Sequence, residues 1–199
     1  MIHPPVALLV IDMLVDFFER HPALAAERSR LVRGINSAAR AFRDAGQPVI
    51  WVRQEFAPDL NDAFLLMRRT GTKVTIAGTD GCQVLPELEK LGTDPVIVKK
   101  RYSAFFRTNL DELLADLGAR SLVLAGVNTH ACVRMAAIDA YQRDYDVIVA
   151  SDCVVSYDAE HHRVTLRYLD GGIARLESNA EIVRLMTDVP GSLPRFDAM

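Results

Sequence analysis

Cysteine is scarce in this chain, with three in 199 residues, Cys82, Cys132 and Cys153. They are too few and too widely spaced for a disulfide framework or a CxxC zinc site, and the odd count leaves at least one free thiol. Charge of one sign is not in excess either: 23 basic and 26 acidic residues give a formal net charge of −3. A nucleic-acid partner usually needs a concentrated basic stripe, so none is expected. Long hydrophobic runs are missing. The longest useful one, Val6 to Ile11, falls far short of the ~20 residues that span a bilayer. It has no basic leader and ends at Asp12, so it reads neither as an anchor nor as a signal peptide. Repeats, low-complexity tracts and linkers are lacking too. With half of its residues hydrophobic, the chain is not of a disordered class. The expectation is a soluble, cytoplasmic, reduced protein without a membrane partner, one domain over residues 1–189 followed by a tail at 190–199.

What is present is alternation. Val6–Ile11 is a continuous apolar run, as a strand buried on both faces requires. Leu31, Ile35, Ala38, Ala39 and Phe42 then repeat at helical spacing, closed by Gly46. Val49–Val52 and Val96–Val98 read as the next strands, separated by a less regular stretch, 53–95, punctuated by proline and glycine. Leu110, Leu113, Leu114 and Leu117 mark a helix that Gly118 ends, with Thr108 and Asp111 as a capping-box pattern. Leu122–Ala125 and Val147–Ala150 are strands either side of a helix from Ala131 to about Arg143. A helix at 159–169, a strand from Ile173 to Leu176 and a helix capped by Ser178 and Glu181 complete the series. Six strands alternating with helices predict a three-layer α/β/α fold around a six-stranded, mostly parallel sheet, Rossmann-like. Such sheets bind ligands at the carboxyl ends of their strands.

Those ends carry complementary chemistry. The first strand ends at Asp12, the third at Lys99 and Lys100, and the fourth in Gly126-Val-Asn-Thr-His-Ala-Cys132 at the start of a helix. A helix N-terminus or a neighbouring cation favours a thiolate. An aspartate can take the thiol proton and return it to a leaving amine, and amides of the Asn128–Cys132 turn can hold an oxyanion. The set points to acyl transfer from carbon–nitrogen bonds. Taken singly, Asp12 reads equally as a cap, Cys132 as a packing residue and either lysine as a solvated strand-end charge.

The sequence resembles the isochorismatase-like cysteine hydrolase superfamily along nearly its whole length. The segments that carry the resemblance are Leu8-Leu-Val-Ile-Asp-Met13 with Asp16-Phe-Phe18, Gly78-Thr-Asp-Gly81 with Leu85-Pro-Glu-Leu88, Lys99-Lys-Arg-Tyr-Ser-Ala-Phe105, Ala125–Val133, Ala150-Ser-Asp-Cys153 and Glu160-His161. The resemblance implies an Asp12–Lys99–Cys132 triad, with Lys100 at a variable position. It also implies a cis peptide between Val127 and Asn128, which turns the Asn128 and Cys132 amides toward an oxyanion. Dimers or tetramers of the chain are implied as well.

Departures from relatives narrow the activity. The nicotinamidase branch carries an Asp-x-His metal motif after the second strand; here Arg53-Gln-Glu-Phe56 stands there, and the loop beyond has no histidine. No metal and no other cofactor is therefore expected. Isochorismatases generally lack the nucleophile cysteine, so Cys132 favours hydrolysis of a small amide, ureide or N-carbamoyl compound through a thioester. Vinyl-ether hydrolysis with Asp12 as acid, a non-catalytic binding member and a redox sensor are the rivals. Leu14 and Val15 replace the amides usual between the two N-terminal aspartates. Phe17, Phe18, Gln54, Tyr102, Phe105 and Tyr157 are candidates for lining the substrate pocket or for packing. His130, His161, His162, Cys82, Cys153 and Trp51 read as structural.

Overall fold

The protein is described here from a computed structural model, which covers residues 4–188. The expected tail at 190–199 lies outside the described residues. The strands are β1 (Val6–Ile11), β2 (Val49–Gln54), β3 (Val96–Lys99), β4 (Ser121–Val127), β5 (Asp146–Val155) and β6 (Arg175–Glu177). They form one sheet in the order β3-β2-β1-β4-β5-β6, and every neighbouring pair is parallel.

Side chains alternate across a strand, so β1 feeds both faces of the sheet. Val6, Leu8 and Val10 pack with α2 (Pro22–Asp44), α7 (Asn179–Thr187) and Trp51 on one face. Ala7, Leu9 and Ile11 pack with α4 (Leu110–Asp116), α5 (Arg134–Tyr141) and α6 (Ala159–Leu169) on the other. That is why a central parallel strand reads as an unbroken apolar run. Each fully buried aliphatic side chain of these layers contributes about 1.5–3 kcal/mol. Trp51 belongs to this core and donates its indole N–H to Asp94 at 2.8 Å.

Several local expectations change. Pro22 opens α2 nine residues before the expected apolar stripe begins, in the first-turn position that suits proline. Two short helices were not foreseen: α1 (Val15–Arg20) and α3 (Leu65–Thr70), the latter with no buried residue and hence no apolar stripe. A single π-helical turn, Thr129–Val133, precedes α5 where a continuous helix was expected. β6 begins at Arg175 rather than Ile173, because the Gly171 and Ala174 backbone groups are used in a turn against Leu169 and each other. The Thr108–Asp111 box does not form: Asn109 precedes α4, and the Thr108 hydroxyl donates to Ala104 O at 2.6 Å. Ser178 does cap α7, accepting from the Glu181 N–H at 3.2 Å.

Candidate active site

Strand order reverses about β1, with β2 and β3 on one side and β4, β5 and β6 on the other. A crevice opens at such a point beyond the carboxyl ends. Asp12 follows β1 with φ 53°, a left-handed conformation that aspartate tolerates better than most residues. Its N–H donates to Val52 O at 2.8 Å, and its Oδ1 accepts from the Gln54 N–H at 2.9 Å. The end of β2 therefore fixes the carboxylate. β4 approaches closely here because residue 126 is glycine, with φ 114°; a Cβ there would lie 2.0 Å from Ile11 O.

Lys99 closes β3, two strands away, roughly 10 Å at ordinary strand spacing. Its buried stem spans that gap and places Nζ 2.7 Å from Asp12 Oδ2. The same Nζ donates to Cys132 Sγ at 3.4 Å and to Arg101 O at 3.1 Å. Lys100 turns outward and pairs with Asp62 at 2.9 Å. Of the two lysines at the end of β3, Lys99 lies against Asp12 and Cys132, and Lys100 does not. Cys132 sits in the π turn after β4, and the Val127–Asn128 peptide ahead of it is cis. Leu14 and Val15 contribute backbone only: the Leu14 N–H donates to Asp12 O at 2.8 Å and the Val15 N–H to Gln83 O at 3.1 Å, while the Leu14 side chain is buried.

Burial sets the resting charges. It pushes the Cys132 thiol up to about 12; Lys99 pulls it down and Asp12 pushes it further up. Burial works to lower the Lys99 pKa, but the charges of Asp12 and Cys132 overcome it and leave the ammonium held above its ordinary value. At neutral pH Cys132 therefore rests as a protonated thiol beside the Lys99 ammonium.

A cavity of about 500 Å³ opens over Cys132. Of the candidate lining residues, Phe17, Gln54, Tyr102 and Tyr157 reach it, and so does Asn128. Phe18 and Phe105 do not. Phe18 faces the other way on α1, into the core beside α2. Phe105 packs in the opposite layer, against Tyr145 and under the Arg143 guanidinium at 4.6 Å. The walls include residues that sequence reasoning did not assign to the pocket: His21, stacked on Tyr157 at 4.8 Å, and the face of α3 with Leu65, Leu66 and Met67. Phe64 leans on Tyr102 at 4.9 Å. His130 also lines it, its Nδ1 hydrogen-bonded to Ser156 Oγ and its ring edge-on to Tyr157 at 5.1 Å. Burial and the neighbouring His161 hold the His130 pKa below its ordinary value. His162 Nδ1 meets Thr129 Oγ1 at 2.8 Å, a further tie between α6 and the nucleophile turn.

The end of β2 does not fit a zinc ion. Glu55 is paired with Arg53 at 2.8 Å, and Cys82 Sγ lies 3.6 Å from Glu55. Among the described residues no three His, Cys, Asp or Glu side chains are grouped as a metal site requires. Nor is any described helix long and apolar enough to cross a membrane.

A parallel α/β sheet thus gathers Asp12, Lys99 and Cys132 beneath a cavity at its switch point. The chain belongs to the isochorismatase family: the family model described as "Isochorismatase domain" matches residues 6–181. A protein named as a probable inactive nicotinamidase of Arabidopsis thaliana is 35% identical over 167 residues, covering 80% of this chain and 85% of that one. The N-carbamoylsarcosine amidase of Thermoplasma acidophilum superposes with a TM-score of 0.74 at 29% identity, covering 87% and 96% of the two chains. A cysteine hydrolase from Pseudomonas syringae pv. phaseolicola shares the fold with a TM-score of 0.86 at 22% identity, covering 95% and 98%. Family members are hydrolases and include amidases.

Proposed function

We propose that the protein is a metal-independent cysteine hydrolase that cleaves a C–N bond in a small amide, ureide or N-carbamoyl compound. One observation carries the reading: a single buried ammonium, Lys99 Nζ, lies 2.7 Å from the Asp12 carboxylate and 3.4 Å from the Cys132 sulfur. A thiol used only for packing has no need of a buried ion pair beside it, since such a pair is expensive to desolvate.

Asp12 takes the proton from the Cys132 thiol as sulfur adds to the substrate carbonyl carbon. Lys99 stays charged throughout and offsets the negative charge that passes between sulfur and carboxylate. The carbonyl oxygen becomes an oxyanion held by the amides of Asn128 and Cys132 at the nucleophile turn. The C–N bond then breaks, Asp12 returns its proton to the departing nitrogen, and a thioester remains on Cys132. Water adds to the thioester carbonyl, giving its proton to Asp12. The acid leaves, and the proton returns to sulfur.

Ammonia release across a panel of small amides, ureides and N-carbamoyl compounds tests the reading. Turnover is expected in the wild type and absent in Cys132→Ser and Asp12→Asn, with a covalent adduct on Cys132 visible by mass spectrometry. Hydrolysis of a vinyl ether by Cys132→Ala at the wild-type rate, lost in Asp12→Asn and without ammonia release from the panel by the wild type, would instead fit acid-driven ether hydrolysis. Cytoplasmic location and self-association as a dimer or tetramer belong to the same proposal, the latter read by light scattering.

A further inference from the structure

Gln54 is 5% exposed, and its carboxamide Nε2 is buried without a hydrogen-bond partner among the described residues. Its backbone is committed, donating to Asp12 Oδ1 at 2.9 Å, but its side chain holds nothing. Gln54 is also part of the cavity wall over Cys132. A buried amide that leaves its hydrogen-bonding capacity unused costs stability. Turning the carboxamide over does not remove the cost, since the orphaned position is then occupied by oxygen instead of nitrogen. The cavity walls include polar side chains, Arg20, His21, Asn128 and His130 among them, but none of these is hydrogen-bonded to Nε2.

Resting on the hydrolase reading above, we infer that Gln54 is a specificity-determining residue that pairs with a second amide-like group of the substrate. A carboxamide presents one donor edge and one acceptor edge side by side. Its complement is an N–H next to a C=O: once the carboxamide turns from its enclosed resting position toward the cavity, Nε2 donates to the carbonyl and Oε1 accepts from the N–H. The anchoring of residue 54 to Asp12 through its own backbone sets this group beside the reacting carbonyl. The preferred substrate is therefore an acylurea or similar ureide, carrying a second N–H/C=O unit next to the scissile one. A simple monoamide with an alkyl chain leaves Gln54 unpaired in the bound state as well as the free state.

The test uses acetylurea and butanamide, which are close in size and differ in that second unit. Ammonia release is followed for the wild type, Gln54→Met and Gln54→Leu, with Cys132→Ser as the blank. The wild type is expected to favour acetylurea about ten- to a hundredfold in kcat/KM, because a site that hydrogen-bonds its substrate rejects an analogue lacking those groups. In both variants the ratio should collapse toward one, chiefly through a higher KM for acetylurea. Melting temperatures of the free variants should be equal to or above that of the wild type, because an unsatisfied buried polar group has been removed. A residue with a merely structural role would show the opposite: an unchanged substrate ratio, or a melting temperature lowered by several degrees in both variants. Either result overturns the inference. Failure of the hydrolase reading shows separately, as equal ammonia release by wild type and Cys132→Ser. In that event, calorimetric binding of acetylurea to Cys132→Ser with and without Gln54→Met decides the pairing: tighter binding with Gln54 supports it, and equal binding overturns it.

Discussion

Replacing Lys99 with methionine isolates what the buried ammonium does. Methionine keeps an unbranched stem across the end of β2 but removes the charge. Asp12 is 0% exposed, so the carboxylate would be left with the Gln54 N–H and the Cys132 thiol as its hydrogen-bond donors and with no charged partner. The ammonium's hydrogen bonds to Cys132 and Arg101 O go as well. Removing one partner of a buried pair typically costs about 3–5 kcal/mol. For a chain of this size that amounts to roughly 6–20 °C in melting temperature. The double variant Asp12→Asn/Lys99→Met removes both charges while keeping an oxygen to accept from Gln54, and should recover most of the loss. Urea unfolding of the four proteins measures the coupling, which should be about 2 kcal/mol or more. The pH dependence has a definite sign. Lys99 is held above its ordinary value in the folded state, so its contribution is fully present below the unfolded pKa of about 10.4 and is lost as pH rises through the folded value. The gap between wild type and Lys99→Met should therefore stay flat between pH 7 and 9 and narrow only in stronger alkali. A single-variant cost below about 1 kcal/mol, or strict additivity in the cycle, would refute the claim that the pair is a tight, desolvated unit.

Other expectations are briefer. With the Cys132 thiol pushed up to about 12, its alkylation by iodoacetamide should keep rising with pH beyond 9 and show no plateau near an ordinary thiol value; Lys99→Met should slow it further, read by mass spectrometry of the Cys132 peptide. Gly126→Ala should fail to give folded protein, since its Cβ would meet Ile11 O at 2.0 Å in a backbone conformation with φ 114°; soluble expression with native circular dichroism would contradict this. Ser178→Ala should cost about 1 kcal/mol through loss of the α7 cap, measured by urea unfolding, with ammonia release unchanged because α7 packs on α2 and β5, away from the cavity.

The layers, and the meeting of Asp12, Cys132 and a lysine at one sheet edge, were legible from strand periodicity; it was the resemblance that set Lys99 ahead of Lys100. A parallel strand buried on both faces announces itself as an apolar run, and the residue that ends it lands on the ligand edge whatever the loops do. Asp12, Lys99 and Cys132 are all such residues or lie one turn beyond. The cavity walls follow no such rule. Phe17 and Phe18 are neighbours on α1, and about 100° of helical rotation separates a wall residue from a core residue. Phe18 is the one buried residue of that six-residue helix, with Leu14, four back, buried at its N-cap; one residue and a cap are too few to raise a periodic signal. α3 had none to raise, because its leucines face the cavity and solvent rather than a core. Phe105 lies in an irregular stretch whose direction is set by contacts with Tyr145 and Arg143, forty residues away in sequence. Gln54 falls between these cases. Its position at the end of β2 was legible, but its orphaned carboxamide could be recognised only once every neighbouring partner had been placed. Reaction chemistry in this fold is thus written at strand ends and readable early. On the proposed reading selectivity rests on cavity-wall side chains such as Gln54 at the end of β2, and substitutions there should change the substrate while leaving the reaction intact.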